Sequence, residues 1–504
     1  MSGNVWLPPG ARPDSLPVIP RQRTTPGWAH PDPIDELAER LEDFTAAAVH
    51  PDEIAALLES DGLSDDRIRE RYGVKDSFAL AEELYARVDR RHPEPDGPVP
   101  DPWQVGLLGC LLRGVVFALP GLAYVLGAPL LAGPDDDLGL PAGTVPLLAG
   151  ALTGWTWNQG LAHRAHSWLG LGDRSAARRC LLAGAPLGAL LGALTALAVA
   201  DTADPGALAF AAGQSCYLGA ATVLLVMGRE RALLAALSPM AAGAVVALVT
   251  EVPEPARIAL LLGSLAVVSA LALLDVAPAL REPGEGSWTA GLTALLPFGA
   301  PDPLPRRAGG PRLTGSVPYA LFGLGSGVLV LHAALGDVLA GGTHSAVAAP
   351  AAVALTLSMG PAEWLLYRFR SGSLAALRST GTPRAFRRAA ALILVRCLAG
   401  YLAALLALAP AATALWPGSP EPTGVRLAGL LLLGVVLWTG LLLQSFGAIH
   451  GAAAVCCTAA LVQTLALVTR TGEPHGVAMT VYGACAVVQA ALVCVLLGRA
   501  SAHR

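Results

Sequence analysis

Between residues 104 and 498 the chain repeats one pattern about twelve times: an apolar stretch near 20 residues, then a short polar or glycine-rich turn. A stretch of about 20 apolar residues matches the hydrocarbon thickness of a bilayer when helical. Lipid offers no hydrogen bonds, so each such stretch must satisfy its own backbone, and the helix does this within one segment. The stretches fall near 104–131, 142–165, 179–200, 206–227, 232–250, 258–280, 316–337, 345–367, 388–415, 425–446, 449–469 and 476–498. Only 14% of the 504 residues are charged, against about 25% in soluble domains. The expected fold class is an all-α polytopic membrane protein. No signal peptide is expected, because Met1 leads into polar, Pro-rich sequence.

The arginines orient the spans. The single lysine is Lys75, so the cationic signal is arginine. One set of turns carries eighteen: Arg164, Arg174, Arg178, Arg179, Arg229, Arg231, Arg281, Arg306, Arg307, Arg312, Arg368, Arg370, Arg378, Arg384, Arg387, Arg388, Arg499 and Arg504. The opposite set carries Arg257, Arg426 and Arg470, with the acidic run Asp135-Asp136-Asp137 and Glu251. The positive-inside rule then places both termini in the cytoplasm of a bacterial inner membrane. The Arg, Ala, Gly and Leu richness agrees with a GC-rich bacterial genome.

Ahead of the spans, residues 1–31 form a Pro/Arg-rich tail without periodicity, expected to be disordered. Residues 32–91 differ. Ile34, Leu37, Leu41 and Phe44 recur at steps of three and four, which is one helix face. Pro51 begins a second helix, Ser64 a third, and Asp76 caps a fourth. The result is a small cytosolic helical domain holding about half of the 38 acidic residues, suited to a cytosolic protein partner and unsuited to nucleic acid. A linker, 92–103, joins it to the first span. Residues 281–315 then divide the spans six and six (104–280 and 316–498), with a short interfacial helix expected around Trp288–Phe298, and 499–504 is a cytosolic tail.

Polar residues inside apolar spans are costly and mark either helix–helix contacts or a water-lined path. Trp155, Gln159, His163 and His166 share one helical face of the second span, with Asn158 nearby. Arg113 lies in the first span, where an arginine costs about 2.5–3.5 kcal/mol at the bilayer centre, so it needs a cavity or a partner. Glu363, after Met359-Gly360-Pro361, offers itself to Arg113 or Arg164, or to a coupling proton. Arg113, Trp155, Asn158, Gln159, His163 and Glu363 are therefore the cavity candidates. Arg164, His166, Arg174, Arg178, Arg179, Arg368 and Arg370 are candidates for a cytosolic gate or turn. His332, Gln214, Gln444 and Gln463 are weaker cavity candidates, and Arg396 and Asp275 read as structural. The eight cysteines lie in or beside apolar spans, without metal-ligand spacing. No nucleophile–base arrangement or phosphate-cradling loop stands out, so no catalytic residue, metal or cofactor is expected and the chain reads as no enzyme.

The halves match each other. A shift of 204 carries Gln159 to Glu363, His163 to Tyr367, Arg164 to Arg368, His166 to Arg370 and Ser167 to Ser371. Six spans separate the equivalents, so the pseudo-repeats run parallel, as in transporters that rock two bundles about a midplane site.

This six-plus-six arrangement, with Leu-Gly-Leu-Gly-Asp173-Arg174-Ser-Ala-Ala-Arg178-Arg179 after the second span and Met227-Gly-Arg229-Glu-Arg231 after the fourth, resembles the multidrug/oligosaccharidyl-lipid/polysaccharide exporter superfamily. The resemblance covers about 104–498. It implies a V-shaped pair of bundles, with spans one, two, seven and eight lining a central cavity. For a lipid-linked saccharide flippase it also implies a cationic cavity for a pyrophosphate headgroup, with Arg113 as the cation. The basic turn also looks like that of the major facilitator superfamily, but is one residue longer and has Ala176 where glycine is expected. Three functions follow as expectations: flipping of a polyprenyl-pyrophosphate-linked saccharide or similar amphiphile; facilitator-type export of small molecules; and a non-transporting scaffold whose N-domain recruits a partner.

Overall fold

A computed structural model describes residues 32–89, 103, 106–132, 140–200, 205–281, 311–339, 350–414 and 424–498. The expected N-terminal tail, most of the linker, Asp135–Asp137, the interfacial helix and the C-terminal tail lie outside the described residues. Contacts divide the chain into two units, Met1–Pro100 and Asp101–Arg504.

Among its described residues the first unit holds five short helices: α1 (Pro33–Arg40), α2 (Glu42–Ala47), α3 (Pro51–Ser60), α4 (Asp65–Tyr72) and α5 (Ser77–Arg87). Their starts are set by side chains. Asp32 accepts from the Ile34 amide at 3.0 Å, and Asp76 accepts from the Ala79 amide at 2.9 Å, each satisfying a donor that the helix leaves open. The core is Ile54, Leu58, Ile68, Leu80 and Leu84, all buried. The single helix face expected from Ile34 to Phe44 is corrected here: the chain breaks at Leu41 (φ −103°, ψ 14°), which rotates α2 off that face and leaves Phe44 exposed. Arg87 closes the unit by donating to Asp32 at 3.0 Å and Asp35 at 2.7 Å. These carboxylates hold its guanidinium above its usual range, against the opposing effect of burial.

The second unit is a helical bundle. Its helices are α6 (Leu107–Leu131, with a 3₁₀ turn at Leu119–Leu122), α7 (Thr144–Gly170), α8 (Arg174–Ala198), α9 (Pro205–Val226), α10 (Glu230–Val249) and α11 (Glu254–Val276). After a 3₁₀ turn at Leu313–Ser316 come α12 (Val317–Leu339), α13 (Pro350–Leu357 and Met359–Ser379, joined at Ser358), α14 (Pro383–Ala414), α15 (Gly424–Ser445), α16 (Ile449–Val468) and α17 (Pro474–Leu497). Among the described residues, 10 helices are long and apolar enough to cross a membrane. About twelve were expected. The two that fall short are α7 and α13, related by the 204-residue shift, because they carry the polar stripe and its counterpart. Outward-facing leucines such as Leu190, Leu194, Leu262 and Leu274 are exposed, the exterior a lipid-embedded bundle presents. The chain is a polytopic helical membrane protein.

The packing repeats. In the first half α7 packs on α8, α8 on α9, α9 on α11, α10 on α11, and α6 on α10. Six helices later, α13 packs on α14, α14 on α15, α15 on α17, α16 on α17, and α12 on α16. Even the anchoring tryptophans occur in both halves. Trp157 Nε1 donates to the Gly184 carbonyl at 2.8 Å, and fully buried Trp438 Nε1 donates to the Ala362 carbonyl at 3.2 Å.

The turn between α7 and α8 follows local chemistry. Gly172 sits at φ 78°, where a side chain would be strained. Asp173 then caps α8, accepting from the Ala176 amide at 2.7 Å and the Ser175 hydroxyl at 2.9 Å. The Ala176 bond chiefly holds the Asp173 carboxyl below its usual range, with Ser175 and Arg179 adding to it.

Candidate interlobe gate

Among the described residues, the main contacts between the two lobes are related by the same repeat: α7 of the first lobe on α12 of the second, and α13 of the second on α6 of the first. These are the first, second, seventh and eighth long helices. Each contact is close because small residues permit it. A Cβ on Gly114 would lie 2.9 Å from the Gly360 backbone nitrogen, and one on Gly360 would lie 2.8 Å from the Cys110 carbonyl oxygen, so the α6 and α13 backbones touch. Across α7 and α12, a Cβ on Gly323 would lie 2.7 Å from Gln159 Cγ.

Polar groups cluster at the arginine-rich end of both contacts. At α6–α13, Arg113 Nη1 donates to Glu363 Oε1, while its Nε lies 3.4 Å from Glu230 Oε1 at the start of α10. The Tyr367 hydroxyl, one turn after Glu363, lies beside the guanidinium. At α7–α12, the His163 ring stacks on Tyr319 with centroids 3.7 Å apart and planes 19° apart, and His163 Nδ1 meets Ser316 Oγ at 3.0 Å. The shift of 204 carries His163 onto Tyr367, and a shift of 206 carries Arg113 onto Tyr319. The two latches are thus equivalents under the repeat, one ionic and one aromatic. Both tie lobe to lobe.

The predicted residues divide accordingly. Arg113 and Glu363 are together, as an ion pair; in this structure Arg113 is engaged by two carboxylates rather than facing an open cavity as a free cation. Trp155, Gln159 and His163 face α12, with the Trp155 ring edge against Gly323 and Gly327. Asn158 does not join them. It turns into the first lobe with Gly154, Leu161 and Ala165, and its amide atoms are buried without a hydrogen-bond partner. His166 and Arg174 are exposed, as is Arg368, which lies over the Trp364 ring at 5.0 Å. Arg370 packs over Trp103 at 4.1 Å and Phe446 at 4.8 Å, and Trp103 stacks on Tyr367. Arg164 and Arg178 are half-buried, and Arg179 lies near Asp173. Asp275 pairs with Arg229 at 3.1 Å, while Arg396 is exposed on α14. His332 meets Thr464 at 3.2 Å, and Gln463 donates to Tyr482 at 3.4 Å, both within the second lobe.

Sequence reasoning left Glu230, Ser316, Tyr319 and Trp103 out of the site. The repeat shift of 204 carries Arg113 to Val317, two residues short of Tyr319, so the sequence repeat alone brings that region of α12 forward without singling out Tyr319. Among the described residues, no group of three or more His, Cys, Asp or Glu is arranged to hold a metal ion.

No protein-family model matches the chain, and no curated relative matches it in sequence. Among solved structures, the chain is similar to a MATE protein crystallised in complex with MaL6, at 14% identity over 80% of this chain and 97% of that one, with a TM-score of 0.46. It is also similar to a transporter of the MOP (multidrug/oligosaccharidyl-lipid/polysaccharide exporter) superfamily from Pyrococcus furiosus, at 14% identity over 80% and 96% of the two chains, with a TM-score of 0.43. A MATE family transporter of the same superfamily, solved in an outward-facing conformation, is similar at 14% identity over 80% and 96%, with a TM-score of 0.44.

Proposed function

We propose that this protein is a membrane exporter working by alternating access, and that its cargo is a lipid-linked saccharide or a similar amphiphile. One observation carries the reading: the two lobes touch through a pair of repeat-related contacts, α7–α12 and α6–α13, each with a polar latch at the same end. Two rigid bundles joined by breakable contacts at one end can rock, whereas a static scaffold has no need of charged latches within apolar helices. In this reading Arg113, Glu363, Glu230 and Tyr367 hold one latch, and His163, Ser316 and Tyr319 hold the other. Both close the arginine-rich end, which is cytoplasmic by the positive-inside rule. Opening the Arg113–Glu363 pair frees a guanidinium suited to a pyrophosphate headgroup, while Gln159 and Trp155 offer hydrogen-bonding and stacking surface to sugar. The N-terminal unit is the docking module for a cytosolic protein.

The test is translocation of a fluorescent polyprenyl-pyrophosphate saccharide in proteoliposomes, read by its accessibility to an external membrane-impermeant quencher. Wild type should move the probe faster than protein-free vesicles, and Glu363→Gln should change the rate. A rate equal to that of protein-free vesicles would remove this cargo from consideration.

A further inference from the structure

The repeat-related latches do not account for Arg164. This arginine leaves α7 near its arginine-rich end and enters the wall of a cavity of about 310 Å³ between α7, α8, the 3₁₀ turn and α12. That volume falls within the range of about 300–1,000 Å³ found for ligand sites. Its lining is mostly apolar, with Leu161, Val317 and Leu324 among the wall residues. The other polar groups on the wall are already satisfied. The Thr153 and Thr156 hydroxyls donate to carbonyls of their own helix at 2.9 and 2.8 Å, Trp157 donates to Gly184, and Ser316 is held by His163. Among the described residues, no carboxylate lines the cavity. The Arg164 Nε and Nη1 atoms are buried and have no hydrogen-bond partner. The Cys180 thiol of α8 lies beside the guanidinium, and a thiol is a weak acceptor that leaves the charge uncompensated.

Two buried guanidinium nitrogens without a partner are costly even on a half-buried arginine, and natural structures pair such groups or place them against an anion. The geometry points to a binding site for an anionic single-chain lipid, with its phosphate on Arg164 and its hydrocarbon chain in the cavity. A guanidinium fork fits phosphate oxygens, and an apolar chamber opening from it excludes a small hydrated anion in favour of an amphiphile. The walls come from both lobes, so the bound lipid bridges α7 and α8 to α12. It binds best while that contact is closed, and by linkage it stabilises that state. This site stands independently of the transport reading.

The test is native mass spectrometry of the full chain in mild detergent, titrated with 1-oleoyl lysophosphatidic acid, with neutral 1-monooleoylglycerol, and with inorganic phosphate. Wild type should take up one saturable lysophosphatidic acid and bind the other two at least about tenfold more weakly. Arg164→Gln should weaken lysophosphatidic acid by about tenfold or more and leave monooleoylglycerol unchanged, and Arg164→Lys should recover part of the loss. Val317→Phe, which fills the chamber and keeps the charge, should weaken both lipids and carries the test if Arg164→Gln does not fold. Equal lysophosphatidic acid uptake by wild type and both variants would overturn the site. Inorganic phosphate binding as tightly as the lipid would overturn its assignment to an amphiphile.

Discussion

Replacing Glu363 with Gln should open the arginine-rich end of the bundle. The side chains of Arg113 and Glu363 are 37% and 25% exposed, between a surface pair worth at most about 1 kcal/mol and a buried pair whose breaking costs about 3–5 kcal/mol. Glu230, 3.4 Å from Arg113 Nε, remains to compensate part of the charge. The loss is then roughly 2 kcal/mol, which changes the closed-to-open ratio by about thirtyfold. Spin labels on Leu171→Cys and Gly381→Cys, in the turns that follow α7 and α13, report the separation of the lobes by double electron–electron resonance. The exposed Cys216 and Cys494 must first be replaced by serine. Glu363→Gln should move population from a short to a longer distance. Arg113→Ala with Glu363→Ala should shift it less than Arg113→Ala alone, because removing both partners leaves no unpaired charge at Glu363. An unchanged distance distribution in Glu363→Gln would refute the latch.

Three further outcomes are expected. Gly360→Leu places a side chain where even a Cβ lies 2.8 Å from the Cys110 carbonyl oxygen. It should lower thermal stability by about 1–3 kcal/mol and lengthen the same label distance. Asp173→Ala removes the cap of α8 and should cost about 1 kcal/mol at neutral pH. Because folding depresses the Asp173 pKa, its contribution is fully present above the unfolded carboxylate range and fades as pH falls through the lower folded value. The difference in melting temperature between wild type and variant should therefore be flat above about pH 5 and shrink in acid. Leu84→Ala empties part of a small core in which Leu84 is 0% exposed, at about 2–5 kcal/mol. Limited proteolysis should then remove the N-terminal unit and leave the helical bundle intact.

The bundle was legible because hydropathy and helix length are tied together by bilayer thickness, so each span announces itself without knowledge of its neighbours. The lobe contacts were half legible. Arg113 in an apolar span requires compensation, and Glu363 was one of few carboxylates within the spans, so the pair follows from cost alone. Asn158 shows where that reasoning stops. Helical periodicity orders residues around an axis but does not say which face meets which neighbour, and one step of 100° separates Gln159, facing α12, from Asn158, inside the lobe. Tyr319 and Ser316 carry no charge and so raised no signal in the sequence. Arg164 looked like a turn residue because its cavity is made by three separate helices. Phe44 was misplaced by a backbone break at Leu41 that the apolar spacing does not encode.

The central claim is that the lobes must separate at α7–α12 for cargo to move. Gly160 and Ala320 face each other there, with a Cβ on Gly160 lying 3.4 Å from Ala320 Cβ, close to the separation of about 3.5–4.5 Å that a disulfide spans. Gly160→Cys with Ala320→Cys, in a background lacking the other cysteines, should be assayed for translocation of the polyprenyl-pyrophosphate probe before oxidation, after it, and after reduction. The account predicts that translocation stops when the disulfide forms and returns when it is reduced. Undiminished translocation by fully cross-linked protein would contradict it.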